Sequence, residues 1–172
     1  MPELIPPATR LHAAWLEAHA EWGPGQHEDG FGLDPSDEVD SPAGFAAWLT
    51  RLASQSDPAK AIDVGSYRCV YRWIAEGDRV LGGIALRHGR DDVRWAGHIG
   101  YGIRPSARGR GLAAWALGRM LEEARVLRLD RVLAVCAIEN VASVKTIERC
   151  GGVFEGIRDT RFGPVRRYWI DL

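Results

Sequence analysis

The strongest constraint on the fold is a run of three β-rich segments separated by short polar turns. Tyr67–Ala75 and Arg79–Arg87 have the composition of strands, and the three residues between them, centred on Gly77, are a short hairpin signal. A second polar turn, His88–Asp92, leads into a third strand from about Val93 to Arg104. This part of the chain therefore predicts three successive antiparallel strands.

Helical periodicity precedes and follows these strands. One helix is predicted from about Thr9 to Trp22, and a second opens at Ser41-Pro42, where Ser41 is the N-cap and proline takes the first helical position. After the strands, a helix is predicted from Leu112 to about Arg128, and another from Val141 to Arg149, stopped by Gly151-Gly152. The apolar residues assigned to the inner faces of the first three helices are Leu11, Ala14, Trp15, Ala18, Trp22, Phe45, Trp48, Leu49, Leu52, Leu117, Leu121 and Ala124.

The remaining strands complete a mixed α/β (α+β) pattern. Arg131–Ala137 is a short, continuously apolar strand of the buried type, and two closing strands are predicted near Val153–Gly156 and Arg166–Asp171. The Gly-, Pro- and acid-rich segment Gly23–Asp40 has no period and is a long loop. The order α-α-β-β-β-α-β-α-β-β predicts one sheet with helices on both faces, and residues 1–172 are expected to form a single domain.

Composition excludes several classes of protein. The 22 basic and 23 acidic residues give a formal net charge of −1, so nucleic acid is not the expected partner. No stretch approaches the ~18 apolar residues of a membrane span, and the N-terminus has no signal-peptide pattern. Cys69, Cys136 and Cys150 are odd in number and widely spaced. They favour neither a disulfide framework nor a zinc site, and we expect a cytoplasmic protein without a metal.

The segment GHIGYGIRPSARGRGLA, Gly97–Ala113, carries the clearest chemical signal. A strand ends before Pro105, and a Gly-rich basic turn then leads directly into a helix, whose first amides lack internal partners. Glycines at positions 109 and 111 allow close approach or a positive φ, and Arg108 and Arg110 add charge. The pattern predicts a phosphate or pyrophosphate site, with a tight turn and solvated arginines as the alternative. Neither a Walker A loop nor the dinucleotide GxGxxG is matched.

These residues resemble the GNAT superfamily of acyl-CoA N-acyltransferases. Arg108-x-x-Gly111-x-Ala113 matches its Arg/Gln-x-x-Gly-x-Gly/Ala signature, and IGYGIRP resembles its fourth strand. Asn140-x-x-Ser143, followed by Lys145, Ile147 and GGVF from Gly151, resembles the segment that carries an Asn near the pantetheine. The likeness covers about residues 67–171 and implies a mostly antiparallel sheet of about six to seven strands.

The resemblance implies that acetyl-CoA is the co-substrate and that its acetyl group is transferred to a primary amine, of a small molecule or a peptide or protein, in a ternary complex. It places the cofactor at Ile103, Arg108, Gly109, Arg110, Gly111, Leu112, Ala113, Asn140 and Ser143. The family often uses a Tyr seven residues after the Asn as the acid for the leaving thiolate. Because that position is Ile147 here, a catalytically silent acyl-CoA-binding domain is the alternative function.

Two residues are candidates for catalysis. The resemblance makes Ser143 the candidate acid or CoA contact, because its position has that role in the branch of ribosomal-protein and small-molecule acetyltransferases. Its alternative is a helix N3 serine bonded to the Asn140 turn. His98 stands where relatives often place a Glu and is the candidate base; it shares a face with glycines 100 and 102, which leaves that face open beside it. Its alternative is a hydrogen-bonded structural histidine. Tyr101 points to the opposite face and is assigned to the core.

The acceptor side and the oligomeric state are less constrained. The aromatic residues Tyr67, Tyr71, Trp73 and Trp95 either line the acceptor side or pack within the sheet. The acidic residues of the long loop either attract a cationic amine or are solvated; they are Glu28, Asp29, Asp34, Asp37, Glu38 and Asp40. The final strand could pair at a sheet edge to form a homodimer.

Overall fold

The computed structural model describes residues 1–23, 29–61, 67–89 and 96–172. Seven strands and four helices lie within these ranges. In chain order they are β1 (Glu3–Ile5), α1 (His12–Trp22), α2 (Pro42–Ser56), β2 (Arg68–Glu76), β3 (Arg79–His88), β4 (Ile99–Ile103), α3 (Leu112–Val126), β5 (Arg131–Ala137), α4 (Val141–Arg149), β6 (Val153–Thr160) and β7 (Gly163–Asp171). Two short 3-10 turns, Thr9–Leu11 and Pro105–Ala107, precede α1 and follow β4.

The strands form one sheet in the order β1-β2-β3-β4-β5-β7-β6. All neighbouring pairs are antiparallel except β4 and β5, which run parallel and share the single register pair Ile99 with Ala134. The prediction of a mostly antiparallel mixed sheet is therefore confirmed, with seven strands. β1 was missed because three residues are too few to show a period of two.

Helices cover both faces of this sheet, and each face has its own apolar core. On one face α1 and α2 pack on β2 and β3 through an aromatic cluster of Trp15, Phe31, Phe45, Trp48 and Trp73. On the other face α3 and α4 pack around Leu117, Met120, Leu121, Ile147 and Tyr168. Truncation to Ala costs about 3–5 kcal/mol for a buried Phe or Trp and about 2–5 kcal/mol for a buried Leu, Ile or Met, so both faces contribute strongly to stability.

The predicted helix caps are present. Ser41 Oγ accepts a hydrogen bond from the N–H of Gly44 at 3.0 Å, and Pro42 follows it as the first residue of α2. Asn140 Oδ1 accepts from the N–H of Ser143 at 3.1 Å at the start of α4. Each bond satisfies a backbone donor that the first helical turn leaves without a partner.

The structure corrects several predicted boundaries. Within the described residues the third predicted strand begins at Ile99, and its predicted start near Val93 lies among residues 90–95, outside the described ranges. α3 ends at Val126, and both closing strands are longer than their apolar runs because β6 and β7 pair as a hairpin along their length. The final strand β7 lies between β5 and β6, so the edge strand on this side is β6.

Candidate functional site

The parallel strands β4 and β5 separate beyond their one shared pair. Towards their amino ends, His98 N–H donates to Leu133 O at 2.8 Å. On the other edge of β4, Arg87 N–H donates to His98 O and Arg104 N–H donates to Leu81 O. Because hydrogen bonding alternates along an antiparallel ladder, the even positions of β4 face β3. The N–H groups of the odd positions Tyr101 and Ile103 therefore face the gap between β4 and β5.

The loop after β4 continues this row of donors. Gly109 and Gly111 have φ values of 77° and 74°, and an added Cβ at either would meet no atom within 4 Å. The first backbone hydrogen bond at the N-terminus of α3 is donated by Trp115 N–H to Gly111 O, at 3.0 Å. The amides of Leu112 and Ala113 consequently have no acceptor within the helix, and the helix dipole adds positive potential beside them. The loop is an open set of amide donors.

Both arginines of the loop have protein partners. Arg108 Nε donates to Ile103 O at 3.0 Å, and its guanidinium lies 5.2 Å from the ring centroid of Trp22. Arg110 contacts both carboxylate oxygens of Glu76, at 3.0 and 3.1 Å. The alternative of simply solvated arginines does not describe this loop. The side chains brace it, and the backbone amides remain for an anion.

A buried arginine fastens this loop to α1. Arg104 is 2% exposed, donates to Val80 O at 3.1 Å and to Glu17 at 2.7 Å, and pairs closely with Glu21. Glu21 also accepts from the N–H and hydroxyl of Ser106 at 3.0 and 2.9 Å. The hydrogen bond from Arg104 is the main cause that lowers the pKa of Glu21 to about 2. Sequence reasoning missed this network, whose only signal is an i, i+4 pair of glutamates on α1.

A tyrosine and a serine meet on the α3–α4 face of the gap. The hydroxyls of Tyr101 and Ser143 lie 2.7 Å apart, and the N–H of Ser143 is held by Asn140. Burial is the main cause that raises the pKa of Tyr101 to about 12. The structure thus brings together Tyr101, Asn140 and Ser143. Tyr101 packs against the core as predicted, and its hydroxyl in addition pairs with the Ser143 hydroxyl.

Ile147 belongs to the core. It is 1% exposed, and a Cβ added at Gly152 would lie only 2.4 Å from Ile147 Cγ2. This space at the end of α4 is filled by the isoleucine, so the position offers no polar group to the gap.

His98 is held by its neighbours. Its Nδ1 accepts from Leu133 N–H at 2.9 Å, which assigns the proton of the neutral ring to Nε2 and engages the lone pair that a base would use. The sequence predicted an open face beside His98, but the structure shows that this face is covered. A Cβ at Gly100 would lie 2.7 Å from Asp29 Oδ1, and one at Gly102 would lie 2.8 Å from the Trp22 ring. The two glycines are needed because that face is covered.

The candidate acceptor aromatics separate into two groups. Tyr71 is buried, with its hydroxyl donating to Gln55 Oε1 at 2.9 Å, and Trp73 is fully buried. Both belong to the core. Tyr67 lies near the guanidinium of Arg87, 6.0 Å from its ring centroid. Trp95 lies outside the described residues.

Several acidic side chains of the long loop stabilise the loop itself. Asp34 accepts from Ser36, Asp37 pairs with Arg51, and Glu38 accepts from Ser41. Asp29 instead lies beside β4, where it raises the pKa of Arg87 against the opposing effect of burial. Asp40 is exposed, and Glu28 lies outside the described residues.

A family model decides the identity of this arrangement. The model described as acetyltransferase (GNAT) domain matches residues 10–153, most of the chain. The chain belongs to the GNAT acetyltransferase family. No curated protein matches it significantly in sequence. The comparisons give no support to a catalytically silent domain.

Solved GNAT structures share the fold. The Salmonella typhimurium acetyltransferase that modifies the N-terminal serine of ribosomal protein L7/L12 has a TM-score of 0.70 at 16% identity, covering 99% of this chain and 95% of its own. RimL, a ribosomal L7/L12 α-N-protein acetyltransferase in complex with coenzyme A, has a TM-score of 0.73 at 17% identity, with 99% and 94% covered. The microcin C7 self-immunity acetyltransferase MccE, in complex with acetyl-CoA and AMP, has a TM-score of 0.71 at 14% identity, with 99% and 92% covered.

Among the described residues, no group of three or more His, Cys, Asp or Glu side chains is arranged to hold a metal ion. Within the same ranges, none of the helices has the length and apolar character needed to cross a membrane.

Proposed function

We propose that this chain, as a single domain over residues 1–172, transfers the acetyl group of acetyl-CoA to a primary amine by direct attack in a ternary complex. One observation carries the proposal: the amides of β4 that face the gap lead directly into the open amides at the start of α3. A co-substrate with an amide-bearing arm and a pyrophosphate presents acceptors in the same order.

The placement of the co-substrate follows from these donors. The pyrophosphate lies against the amides of Gly109–Ala113, where the two glycines leave open space and the helix dipole favours negative charge. Arg108 and Arg110 brace the loop and contribute positive potential. The pantetheine arm pairs with β4 at Ile103 and passes Asn140 and Ser143 on the other side of the gap.

The chemistry rests on positioning and on charge stabilisation. The amine nitrogen forms a bond to the acetyl carbon while the carbon–sulfur bond breaks and its electron pair leaves with sulfur. A β4 N–H that faces the gap donates to the acetyl oxygen, whose negative charge grows during attack. Ser143 is the candidate hydrogen-bond donor to the leaving sulfur. His98 can act as base only if its ring releases Leu133 N–H, and water can take the ammonium proton instead.

The acceptor is an amine of a small molecule or of a peptide or protein. GNAT relatives support both classes, since one modifies a ribosomal protein N-terminus and another provides self-immunity to a microcin. A homodimer would use the edge strand β6, which exposes Val153, Phe154 and Ile157. The three free cysteines suit a reducing compartment such as the cytoplasm.

Thermal unfolding with CoA tests the co-substrate assignment. A ligand present at 100 times its Kd stabilises the native state by about 2.7 kcal/mol. At about 2–4 °C per kcal/mol for a chain of this size, saturating CoA should raise the Tm by roughly 5–11 °C. An unchanged Tm in a folded sample at millimolar CoA would remove the basis of the proposal.

A further inference from the structure

The hydrogen bond between Tyr101 and Ser143 links the two sides of the gap on its α3–α4 face. Tyr101 belongs to β4, whereas Ser143 lies in the first turn of α4, immediately after β5. Their hydroxyls are 2.7 Å apart. The Ser143 backbone cannot shift freely, because its N–H donates to Asn140 Oδ1 at 3.1 Å. The serine oxygen is therefore fixed from both sides of the gap.

The direction of this bond follows from the acidity of the two groups. The Tyr101 hydroxyl lies 3.4 Å from Ser143 O but only 2.7 Å from Ser143 Oγ, so the shorter contact is the stronger one. A phenol is more acidic than an alkyl hydroxyl, so the favoured arrangement has Tyr101 donating to Ser143 Oγ. The single hydrogen of the serine hydroxyl is then released from Tyr101 and can point to a third atom.

We propose that Tyr101 is a positioning residue that orients the Ser143 hydroxyl to donate a hydrogen bond to the sulfur leaving as the CoA thiolate. The inference rests on the proposed function and deepens it. As the carbon–nitrogen bond forms, the carbon–sulfur bond breaks and its electron pair remains on sulfur. The amine proton passes to water, and neither hydroxyl loses its own proton. The position of the family's usual acid is Ile147, which has no proton to donate. The Tyr101–Ser143 pair supplies a charge-assisted hydrogen bond to the thiolate instead.

Acidities favour hydrogen bonding over proton transfer. Burial raises the pKa of Tyr101 to about 12, against about 8.5 for a free thiol, so moving the phenolic proton to a thiolate is uphill. The titratable groups around the phenol are the thiols of Cys136 and Cys150, and the Thr146 hydroxyl also bonds to it. Burial raises the pKa of both thiols, that of Cys136 to about 11. Cys136 therefore stays protonated over most of the pH range in which the bound CoA thiol titrates.

The test measures the affinity of CoA and of desulfo-CoA, which lacks the thiol, by titration calorimetry from about pH 6.5 to about 9.5. A hydrogen bond to the thiolate lowers the pKa of the bound CoA thiol below that of free CoA, which is titrated in the same buffers. The CoA affinity, relative to desulfo-CoA, should therefore rise with pH between the bound and free pKa values and level off above. A lowering of about one unit corresponds to a roughly tenfold rise.

Matched variants separate orientation from packing. Tyr101→Phe keeps the ring and should reduce the rise to about threefold or less, and Ser143→Ala should abolish it. The double variant should behave as Ser143→Ala alone, because Tyr101 acts through the serine. Tyr71→Phe removes a phenol of the opposite core, bonded to Gln55, and should leave the ratio at the wild-type value. In acetyl transfer, Tyr101→Phe should lower kcat about five- to tenfold without changing the KM for acetyl-CoA.

Three results would overturn the inference. Equal pH dependence for CoA and desulfo-CoA in the wild type would show that no donor reaches the sulfur. A Tyr101→Phe protein with the wild-type ratio and kcat would show that the phenol only packs. If neither compound binds, the proposed function fails together with the inference, whereas normal binding without a pH-dependent advantage contradicts the inference alone.

Discussion

Gly111 and Gly118 offer a matched pair of alanine substitutions at the start and in the body of α3. Gly111 has a φ of 74°, whereas Gly118 lies within the helix, and an added Cβ meets no atom within 4 Å at either. Gly118→Ala should stabilise the protein by about 1 kcal/mol through helix propensity. Gly111→Ala gains about 0.4–1 kcal/mol through the unfolded state but loses about 1–2 kcal/mol to left-handed strain.

The two alanine variants should thus differ by about 1–2.6 kcal/mol, or roughly 2–10 °C in Tm for a chain of this size. Thermal unfolding without ligand measures this difference, because both sites accept the same methyl group and only the backbone conformation distinguishes them. Equal midpoints would show that the loop does not hold Gly111 at positive φ, and the cradle geometry would then be wrong.

Glutamate at the same positions extends the comparison to binding. Gly111→Glu places a carboxylate beside the amides assigned to the pyrophosphate and should weaken CoA binding by more than about 100-fold, since charged hydrogen bonds contribute about 1.5–3 kcal/mol each. Gly118→Glu should leave the Kd within about twofold. Arg108→Ala should cost less than Gly111→Glu, because Arg108 braces Ile103 and Trp22 while the backbone donates to the anion. A larger loss for Arg108→Ala, measured by calorimetry, would refute the backbone cradle.

Three further predictions concern neighbouring contacts. The lowered pKa of Glu21 gives stability that is present above about pH 4.5 and lost as the pH falls towards 2. Urea unfolding should therefore show Glu21→Gln to be about 1–3 kcal/mol less stable than the wild type at pH 7, with a smaller loss of stability on acidification. His98→Ala should lose about 1–3 kcal/mol of stability, because Leu133 N–H loses its acceptor. If kcat/KM of the wild type rises with pH through a histidine-like pKa, the variant should keep that rise, and its loss would show that His98 is the base. Ile147→Tyr should destabilise by about 1–3 kcal/mol through overpacking without raising kcat, unlike the volume-conserving Ile147→Leu, which should cost less.

Local signals explain which parts of the fold were predictable from the sequence. The strand Arg131–Ala137 and the helix Val141–Arg149 were predicted with their observed bounds, because an unbroken apolar run and an Asn cap with a Gly stop are local features. β1 and the full length of β6 were not, since their pairing partners rather than their own composition decide them. Sheet edges likewise depend on long-range pairing, which placed the final strand inside the sheet.

In the candidate site, too, features with a local sequence signal were predictable and long-range contacts were not. The open glycines of the loop could be inferred from the sequence, because positive φ and helix starts leave a local signature. The engagement of His98 by Leu133 and the meeting of Tyr101 with Ser143 could not, since each joins residues more than 30 positions apart. For Tyr101, strand alternation gave the correct face, and only the packing of α4 showed that this face includes a polar partner.

Amine-dependent release of free CoA tests the account most directly. Acetyl-CoA is incubated with polyamines, amino acids, aminoglycosides and peptides with free N-termini, and thiol release is measured beside mass spectrometry of each amine. Thiol should appear only with an accepted amine, in equal amount to the acetylated product, and Gly111→Glu should abolish both. Tight binding of acetyl-CoA with no amine-dependent thiol release from any class would contradict the assignment as an acetyltransferase.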